Sequence, residues 1–199
     1  MKKKGIMTVT NCNAVRYQEA TDLFFCDPCY VITHAIDYLD QAWDDFCSLM
    51  FDKKNEHDYS KEGTAFIETP NGTAQFLYAS TAYGDGCYNV RTPFKQDGYE
   101  AGVDAGMLSV WTLADVKKIH PDWTDEQLRY YGVVIRGFHG HVNPDEEGNW
   151  HGIECCTDGS DEEEEYECDR CGCEVDEYET YCWSCEEYME DEEGDEDGW

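Results

Sequence analysis

Positive charge is the scarcest property of this sequence. The 199 residues include 14 Lys and Arg against 45 Asp and Glu, which gives a formal net charge of −31. Residues 157–199 hold 21 of these acidic residues and a single base, Arg170, so this segment alone carries −20. A field of that sign repels nucleic-acid phosphates and anionic lipid headgroups. The composition therefore argues against direct binding to nucleic acid or membrane, and favours either a basic protein surface as partner or simple solubility.

Long apolar runs are also missing. A bilayer-spanning helix needs about 20 consecutive apolar residues, and no segment of that kind occurs. The N-terminal MKKKGIMTVTNC has the lysines of a signal peptide but no apolar stretch after them. We therefore expect a cytoplasmic protein. In that reducing compartment, the 12 cysteines are expected to be metal ligands and core thiols rather than a disulfide framework.

The sequence contains no nucleophile elbow, no phosphate-binding glycine loop and no HExxH motif, so enzymatic activity is unsupported. Asp85, between two glycines, and Asp104 are candidates for acid-base chemistry or a cation site. Their ordinary interpretation as turn residues is favoured. His139 and His141 alternate along a predicted strand, and two histidines on one face can bind a metal. Structural histidines are the commoner case.

Four cysteines after the acidic run form the strongest motif, Cys168-x2-Cys171-x10-Cys182-x2-Cys185. Each Cys-x-x-Cys turn directs two sulfurs to one centre, and two such turns build the tetrahedral site that zinc favours. Four protein ligands leave no open coordination position, so the predicted zinc is structural. Iron is the less favoured alternative. Cys173 is a fifth thiol to which the pattern assigns no role.

A second pair of thiols, Cys26-Asp-Pro-Cys29, has the spacing of a thioredoxin-like redox motif. Such motifs open a helix, whereas residues 30–32 are β-favouring and predict a continuing strand. Residues 22–33 are therefore expected to form two short strands around a turn at Asp27-Pro28, with two partly buried thiols.

Periodicity elsewhere predicts a strand-rich domain. Apolar residues at helical spacing predict a helix; they are Ile36, Leu39, Trp43, Phe46, Cys47 and Met50. Asn71-Gly72 between two apolar runs predicts a hairpin, and residues 103–113 predict a buried strand. Thr124 and Gln127 have capping-box spacing, so a helix is expected there. It should end at Gly132. Two closing strands are expected around a turn at residues 143–145.

The expected fold class is α+β, because the connections are too short for repeated crossover helices and favour antiparallel pairing. We expect a strand-rich, mainly antiparallel domain with one or two helices, plus a small C-terminal zinc ribbon. The expected boundaries are 1–156 for the domain, 157–165 for an acidic linker, 166–187 for the ribbon and 188–199 for an acidic tail.

Three stretches, DLFFCDPCYVI, STAYGDGCYNV and VDAGMLSV, together resemble a family of small bacterial and phage proteins. The family pattern is an early Asp-Pro-Cys-Tyr, a later Gly-Asp-Gly-x-Tyr and a Val-Asp-x-Gly strand, and the match covers about residues 20–112. The resemblance implies a bacterial or phage accessory protein, active in the host cytoplasm if phage-encoded. It implies no activity for these positions. The ribbon and the acidic tail look like an addition to that body.

The preferred hypothesis is a non-enzymatic zinc-binding accessory protein. Its acidic surface would bind a basic or nucleic-acid-binding host protein, as a nucleic-acid mimic or inhibitor. Two alternatives stay open. One is an enzyme or small-ligand binder that uses Asp85, Asp104, His139 and His141, and the other is a virion or other structural component.

Overall fold

The computed structural model describes residues 7–10, 14–33, 42–51 and 60–158, together with the backbone of 166–167 and 174–175. The chain divides into two compact units, Met1–Ser160 and Asp161–Trp199. Within the described ranges, no helix has both the length and the apolar character needed to cross a membrane.

Antiparallel strands dominate the first unit. In chain order they are β1 (Met7–Thr10), β2 (Val15–Cys26), β3 (Glu62–Thr69), β4 (Gly72–Ser80), β5 (Gly86–Asn89), β6 (Lys95–Asp97), β7 (Glu100–Val103), β8 (Met107–Thr112), β9 (Val133–Pro144) and β10 (Trp150–His151). Eight of them form one sheet in the order β1-β3-β4-β8-β2-β9-β10, with β6 also paired to β9. β5 and β7 form a separate pair.

Among the described residues of this unit there are four helices: α1 (Pro28–Thr33), α2 (Ala42–Met50), α3 (Leu113–Ile119) and α4 (Asp125–Tyr131). One apolar cluster joins helix residues such as Phe46 and Val116 to the side chains of Phe24 and Trp111 in the sheet. A second cluster joins Phe25 of β2 to residues of β5, β7 and β10. Successive side chains of a strand point to opposite faces, so the sheet is buried on both sides. The prediction of a strand-rich, mainly antiparallel α+β domain is confirmed, and the described residues form four helices instead of the predicted one or two.

Two local predictions are confirmed in detail. β3 and β4 form the predicted hairpin, in which Thr69 pairs with Gly72 across Pro70-Asn71. Gly72 has φ of +113°, a backbone conformation that glycine adopts without strain. The predicted capping box opens α4, because the Thr124 hydroxyl accepts from the Gln127 N–H and the Gln127 side chain accepts from the Thr124 N–H.

α2 confirms the later part of the helix predicted between Ile36 and Met50. Phe46 and Met50 are buried, and Trp43 and Cys47 pack against the same cluster. Residues 34–41, which include the remaining positions of the predicted stripe, lie outside the described residues.

The strand predicted after Asp27-Pro28 is wrong, because the chain forms α1 there. Asp27 accepts a hydrogen bond from the Cys29 N–H at 2.7 Å, which is what an N-cap side chain does. Pro28 occupies the first helical position, where its missing N–H costs nothing. These two start signals outweigh the β-propensity of residues 30–32.

The single strand predicted over residues 103–113 is wrong in its extent. β7 ends, a turn follows, β8 is shorter than predicted, and α3 begins directly after it. Gly106 has φ of +67° in that turn, a conformation that favours glycine. The Thr112 hydroxyl accepts from the Asp115 N–H at 3.0 Å and so caps α3.

The last predicted turn lies slightly later than residues 143–145. Asp145 Oδ1 accepts from the N–H groups of Glu147 at 3.0 Å and Asn149 at 2.9 Å, so residues 145–149 make the turn. β10, which follows, is only two residues long.

In the second unit, β11 (Tyr166–Glu167) and β12 (Glu174–Val175) pair antiparallel. The four predicted zinc ligands Cys168, Cys171, Cys182 and Cys185, with Cys173 and the acidic tail, lie outside the described residues. The zinc ribbon and the predicted domain boundaries therefore stay predictions.

Candidate functional site

The three motifs that are far apart in the sequence meet at the start of α1. Asp27, in the first motif, has 0% side-chain exposure and joins the first motif to the third. Its Oδ1 accepts from the Cys29 N–H at 2.7 Å. Its Oδ2 accepts from the N–H groups of Asp104 at 2.8 Å and Ala105 at 2.7 Å. One buried carboxylate thus fixes both the helix start and the turn between β7 and β8.

A second contact between the same motifs joins the half-buried Tyr30 to the exposed Asp104. The Tyr30 hydroxyl donates to Asp104 Oδ2 at 2.9 Å. This hydrogen bond holds the Asp104 side chain in one orientation at the surface, while the Asp104 backbone N–H is held by Asp27. The position of the Asp104 carboxylate is therefore set from both sides.

The middle motif reaches the same place through the β5–β7 pair, in which Gly86 lies opposite Val103. The turn before β5 is held by the Gly84 carbonyl, which accepts from the hydroxyls of Thr81 at 2.7 Å and Tyr88 at 2.8 Å. Asp85 follows that carbonyl. A Cβ placed on Gly106 would lie 4.0 Å from Asp85 Oδ1, so Asp85 borders the turn that contains Asp104.

The resulting site has negative potential. Burial raises the pKa of the Cys29 thiol, and the charges of Asp27, Asp104 and Asp85 raise it further. The pKa of Tyr30 is also raised, first by burial and then by its hydrogen bond to Asp104. Both groups stay protonated at neutral pH. Asp85 and Asp104 themselves are exposed, so the site presents two carboxylates on a rigid base.

The redox hypothesis for Cys26 and Cys29 meets an electrostatic obstacle here. The pair does lie at the start of a helix, α1, where the β-propensity of residues 30–32 predicts a strand. However, Cys26 is fully buried, and burial together with the Asp27 charge raises its pKa well above the ordinary value. Reactive thiols need a lowered pKa, because the thiolate is the nucleophile. Both residues are thiols and form no disulfide.

His139 and His141 lie elsewhere in the fold. Both are exposed on β9, and His141 lies opposite Arg16 of β2. They border a pocket of about 490 Å³ whose lining includes neither Asp85 nor Asp104. The four residues of the small-ligand hypothesis therefore occupy two places. Among the residues described, no group of three or more His, Cys, Asp or Glu side chains is arranged to hold a metal ion.

Asp27 is the site residue that the sequence pattern did not single out. Its position next to Pro28 predicts a turn residue. Asp before Pro at the end of an apolar strand is also the pattern of a helix N-cap followed by the first helical residue. This N-cap pattern predicts the hydrogen bond from the Cys29 N–H to Asp27. It does not predict the hydrogen bonds from the N–H groups of Asp104 and Ala105.

The chain was compared with protein-family models, with curated proteins and with solved structures, and none of the three comparisons finds a match.

Proposed function

We propose that this protein is a non-enzymatic accessory protein, of bacterial or phage origin, that binds a basic protein partner through its acidic surface. The observation that carries the proposal is the convergence of Asp85 and Asp104 as exposed carboxylates on one rigid junction. Lys and Arg side chains of a partner are the groups that such a pair attracts.

Rigidity matters for this role. Ordering a side chain on binding costs about 0.5–1.5 kcal/mol. Asp104 avoids much of that cost, because Tyr30 already holds its side chain. Tyr83 precedes Asp85 by two residues and is 72% exposed. Its exposed ring is a second group, close to Asp85 in the sequence, that a partner cation can contact.

The strongly acidic C-terminal segment supports the same proposal at longer range. Its net charge of −20 accelerates encounter with a basic surface, and salt screens this attraction. A partner that normally holds nucleic acid is the natural target, since its surface is already selected for anions. In this proposal the protein acts as a nucleic-acid mimic or inhibitor in the host cytoplasm.

The test uses the full chain to capture partners from a host lysate, with identification by mass spectrometry and affinity measurement at low and high salt. We expect a basic or nucleic-acid-binding partner whose affinity falls with salt. The double variant Asp85→Asn/Asp104→Asn should weaken binding at least tenfold. The matched control Asp122→Asn/Glu126→Gln removes the same charge from exposed positions outside the site and should have an effect below twofold. Equal effects of the two double variants would refute a role for the junction.

The zinc part of the proposal has its own test. We expect one structural zinc per chain, bound by Cys168, Cys171, Cys182 and Cys185. Elemental analysis should find it lost in Cys168→Ser/Cys171→Ser and retained in Cys87→Ser, which changes an exposed thiol of the first unit. Two metals per chain, one of them lost in His139→Asn/His141→Asn, would instead support the small-ligand or enzyme alternative. Mass spectrometry of purified particles tests the virion alternative.

A further inference from the structure

We propose that the pocket between β2 and β9 binds a small phosphorylated anion. In the described part of the chain its lining consists of Arg16, Tyr17, Gln18, His139, Gly140 and His141. Five of these six residues offer side-chain hydrogen-bond donors, and none is a carboxylate. In a chain with 45 acidic and 14 basic residues, such a lining stands apart from the rest of the surface.

An irregularity in the sheet creates the pocket. β2 and β9 pair regularly up to Tyr17 and Gly140, and the next pair is Thr21 with Phe138. Three residues of β2 thus face one residue of β9, His139. The extra residues bulge away from the ladder, as in other β-bulges. Gly140, with φ of +131°, lets β9 bend between the two histidines.

The donors are held by neighbouring aromatic rings. The His139 ring lies edge-on to Phe94, with centroids 5.1 Å apart at 86°. Tyr17 packs edge-on to Phe138 at 5.8 Å. Burial, and then the charge of Asp115, raise the pKa of Tyr17 to about 12, so its hydroxyl is protonated at neutral pH. Two donors of the pocket are therefore positioned before any ligand arrives.

The charge of the lining selects an anion over a metal ion. Arg16 is opposite His141 on the neighbouring strand, and side chains of such a pair lie about 5 Å apart at Cβ. A permanent guanidinium charge at that distance repels a cation. The same guanidinium presents a planar fork that matches phosphate or carboxylate oxygens. The imidazole N–H groups of His139 and His141 are further donors, so the side chains of the described lining are cationic or neutral.

The number of donors favours phosphate over carboxylate. A carboxylate has two oxygens, whereas a phosphate monoester has three free oxygens arranged around phosphorus. The lining offers a guanidinium, two imidazoles, an amide and a hydroxyl from two neighbouring strands, which is more donors than two carboxylate oxygens need. The volume of about 490 Å³ also exceeds that of the bare ion and lies within the range of about 300–1,000 Å³ found for small-molecule sites. A phosphorylated small molecule therefore fits the pocket.

The proposal is tested with the full chain in phosphate-free buffer at constant ionic strength. Inorganic phosphate is titrated while the imidazole NMR signals of His139 and His141, assigned from their His→Asn variants, are followed. We expect saturable shifts of both signals, with acetate binding at least tenfold more weakly. Arg16→Ala should weaken phosphate binding at least tenfold. Arg16 is exposed, and circular dichroism checks that the variant keeps its fold.

Arg91→Ala is the matched control, since it removes an exposed arginine outside the lining and should change the affinity less than twofold. Equal weakening by Arg16→Ala and Arg91→Ala would mean general charge attraction and would overturn the proposal. The absence of saturable shifts at 50 mM phosphate would also overturn the proposal, because that concentration is on the order of ten times the Kd of a weak, millimolar site. Acetate binding as tightly as phosphate would assign the pocket to carboxylates. A second zinc per chain, beyond the one expected at the four ribbon cysteines, that is lost in His139→Asn/His141→Asn would assign it to a metal.

Discussion

Replacing Asp27 with Asn tests whether one buried carboxylate holds the candidate site together. The substitution keeps the size of the side chain and changes only its hydrogen-bonding capacity. The ionised carboxylate accepts three backbone N–H groups, those of Cys29, Asp104 and Ala105. An amide has one oxygen to accept and an NH2 group that only donates. In Asp27→Asn, at least one of the three backbone N–H groups must therefore face the amide NH2 group, and both of those groups are donors.

The expected loss is about 3 kcal/mol in the free energy of unfolding. The amide oxygen keeps most contacts when it faces Asp104 and Ala105, and its NH2 group then faces the Cys29 N–H. An unsatisfied buried donor costs about 1–3 kcal/mol. The two remaining bonds lose their charge assistance, about 1 kcal/mol each. Burial raises the pKa of Asp27, while its hydrogen bonds oppose that shift, so the neutral amide recovers some of the desolvation cost.

Urea denaturation followed by tryptophan fluorescence measures this loss, since Trp111 and Trp150 are buried in the first unit. Asp122→Asn is the control, because Asp122 is exposed and the chemical change is identical. A difference between the two variants below about 0.5 kcal/mol, the usual range of surface substitutions, would refute the structural role of Asp27.

Three further predictions address other parts of the first unit. Gly152→Ala should destabilise the fold at least twice as much as Gly137→Ala, which should cost about 1–2 kcal/mol. Both glycines have positive φ, but only a Cβ on Gly152 would overlap the His141 carbonyl oxygen; equal losses in thermal denaturation would contradict this contact. Thr124→Ala should cost about 1 kcal/mol and Thr124→Ser much less, and equal urea midpoints for the two would argue against the capping box. The N–H of Gly137, and then Arg136, lower the pKa of Asp22. Its stabilisation is therefore present above the unfolded pKa and lost as pH falls through the lower folded pKa, and Asp22→Asn should flatten the acid limb of the stability curve. An unchanged acid limb would contradict that assignment.

Elements that rest on neighbouring residues could be predicted from the sequence. The Asn71-Gly72 hairpin and the Thr124 capping box each depend on chemistry within about four positions, and both are confirmed. The β-propensity of residues 30–32 predicts a strand in place of α1, and the N-cap at Asp27 is the local signal that decides for the helix. α3 was missed although Thr112 and Asp115 have the same three-residue capping spacing.

The candidate site depends on long-range contacts and was predictable only in part. Asp85 and Asp104 were selected as isolated carboxylates, and nothing local indicates that they border one turn. The hydrogen bond between Asp27 and Asp104 joins residues 77 positions apart. Such a contact follows from the strand order, in which β8 lies beside β2. A single sequence does not specify that order.

The burial of the sheet on both faces has a consequence for how its strands find their correct alignment. In β2, Phe24 faces one apolar cluster and Phe25 the other. A slip of one residue usually exposes apolar groups and buries polar ones, but here it exchanges one apolar face for another. Polarity therefore does little to oppose the error.

The buried carboxylate of Asp27 distinguishes the correct strand alignment from the slipped one. A slip of one residue moves the end of β2 by about 3.3 Å, which takes the carboxylate out of reach of the Asp104 and Ala105 N–H groups and leaves it buried without them. The misaligned sheet then loses these hydrogen bonds, as well as those that Asp22 of β2 accepts from the Gly137 N–H and from Arg136 of β9. We therefore expect the hydrogen bonds of Asp27 to favour the observed strand alignment in addition to stabilising the fold.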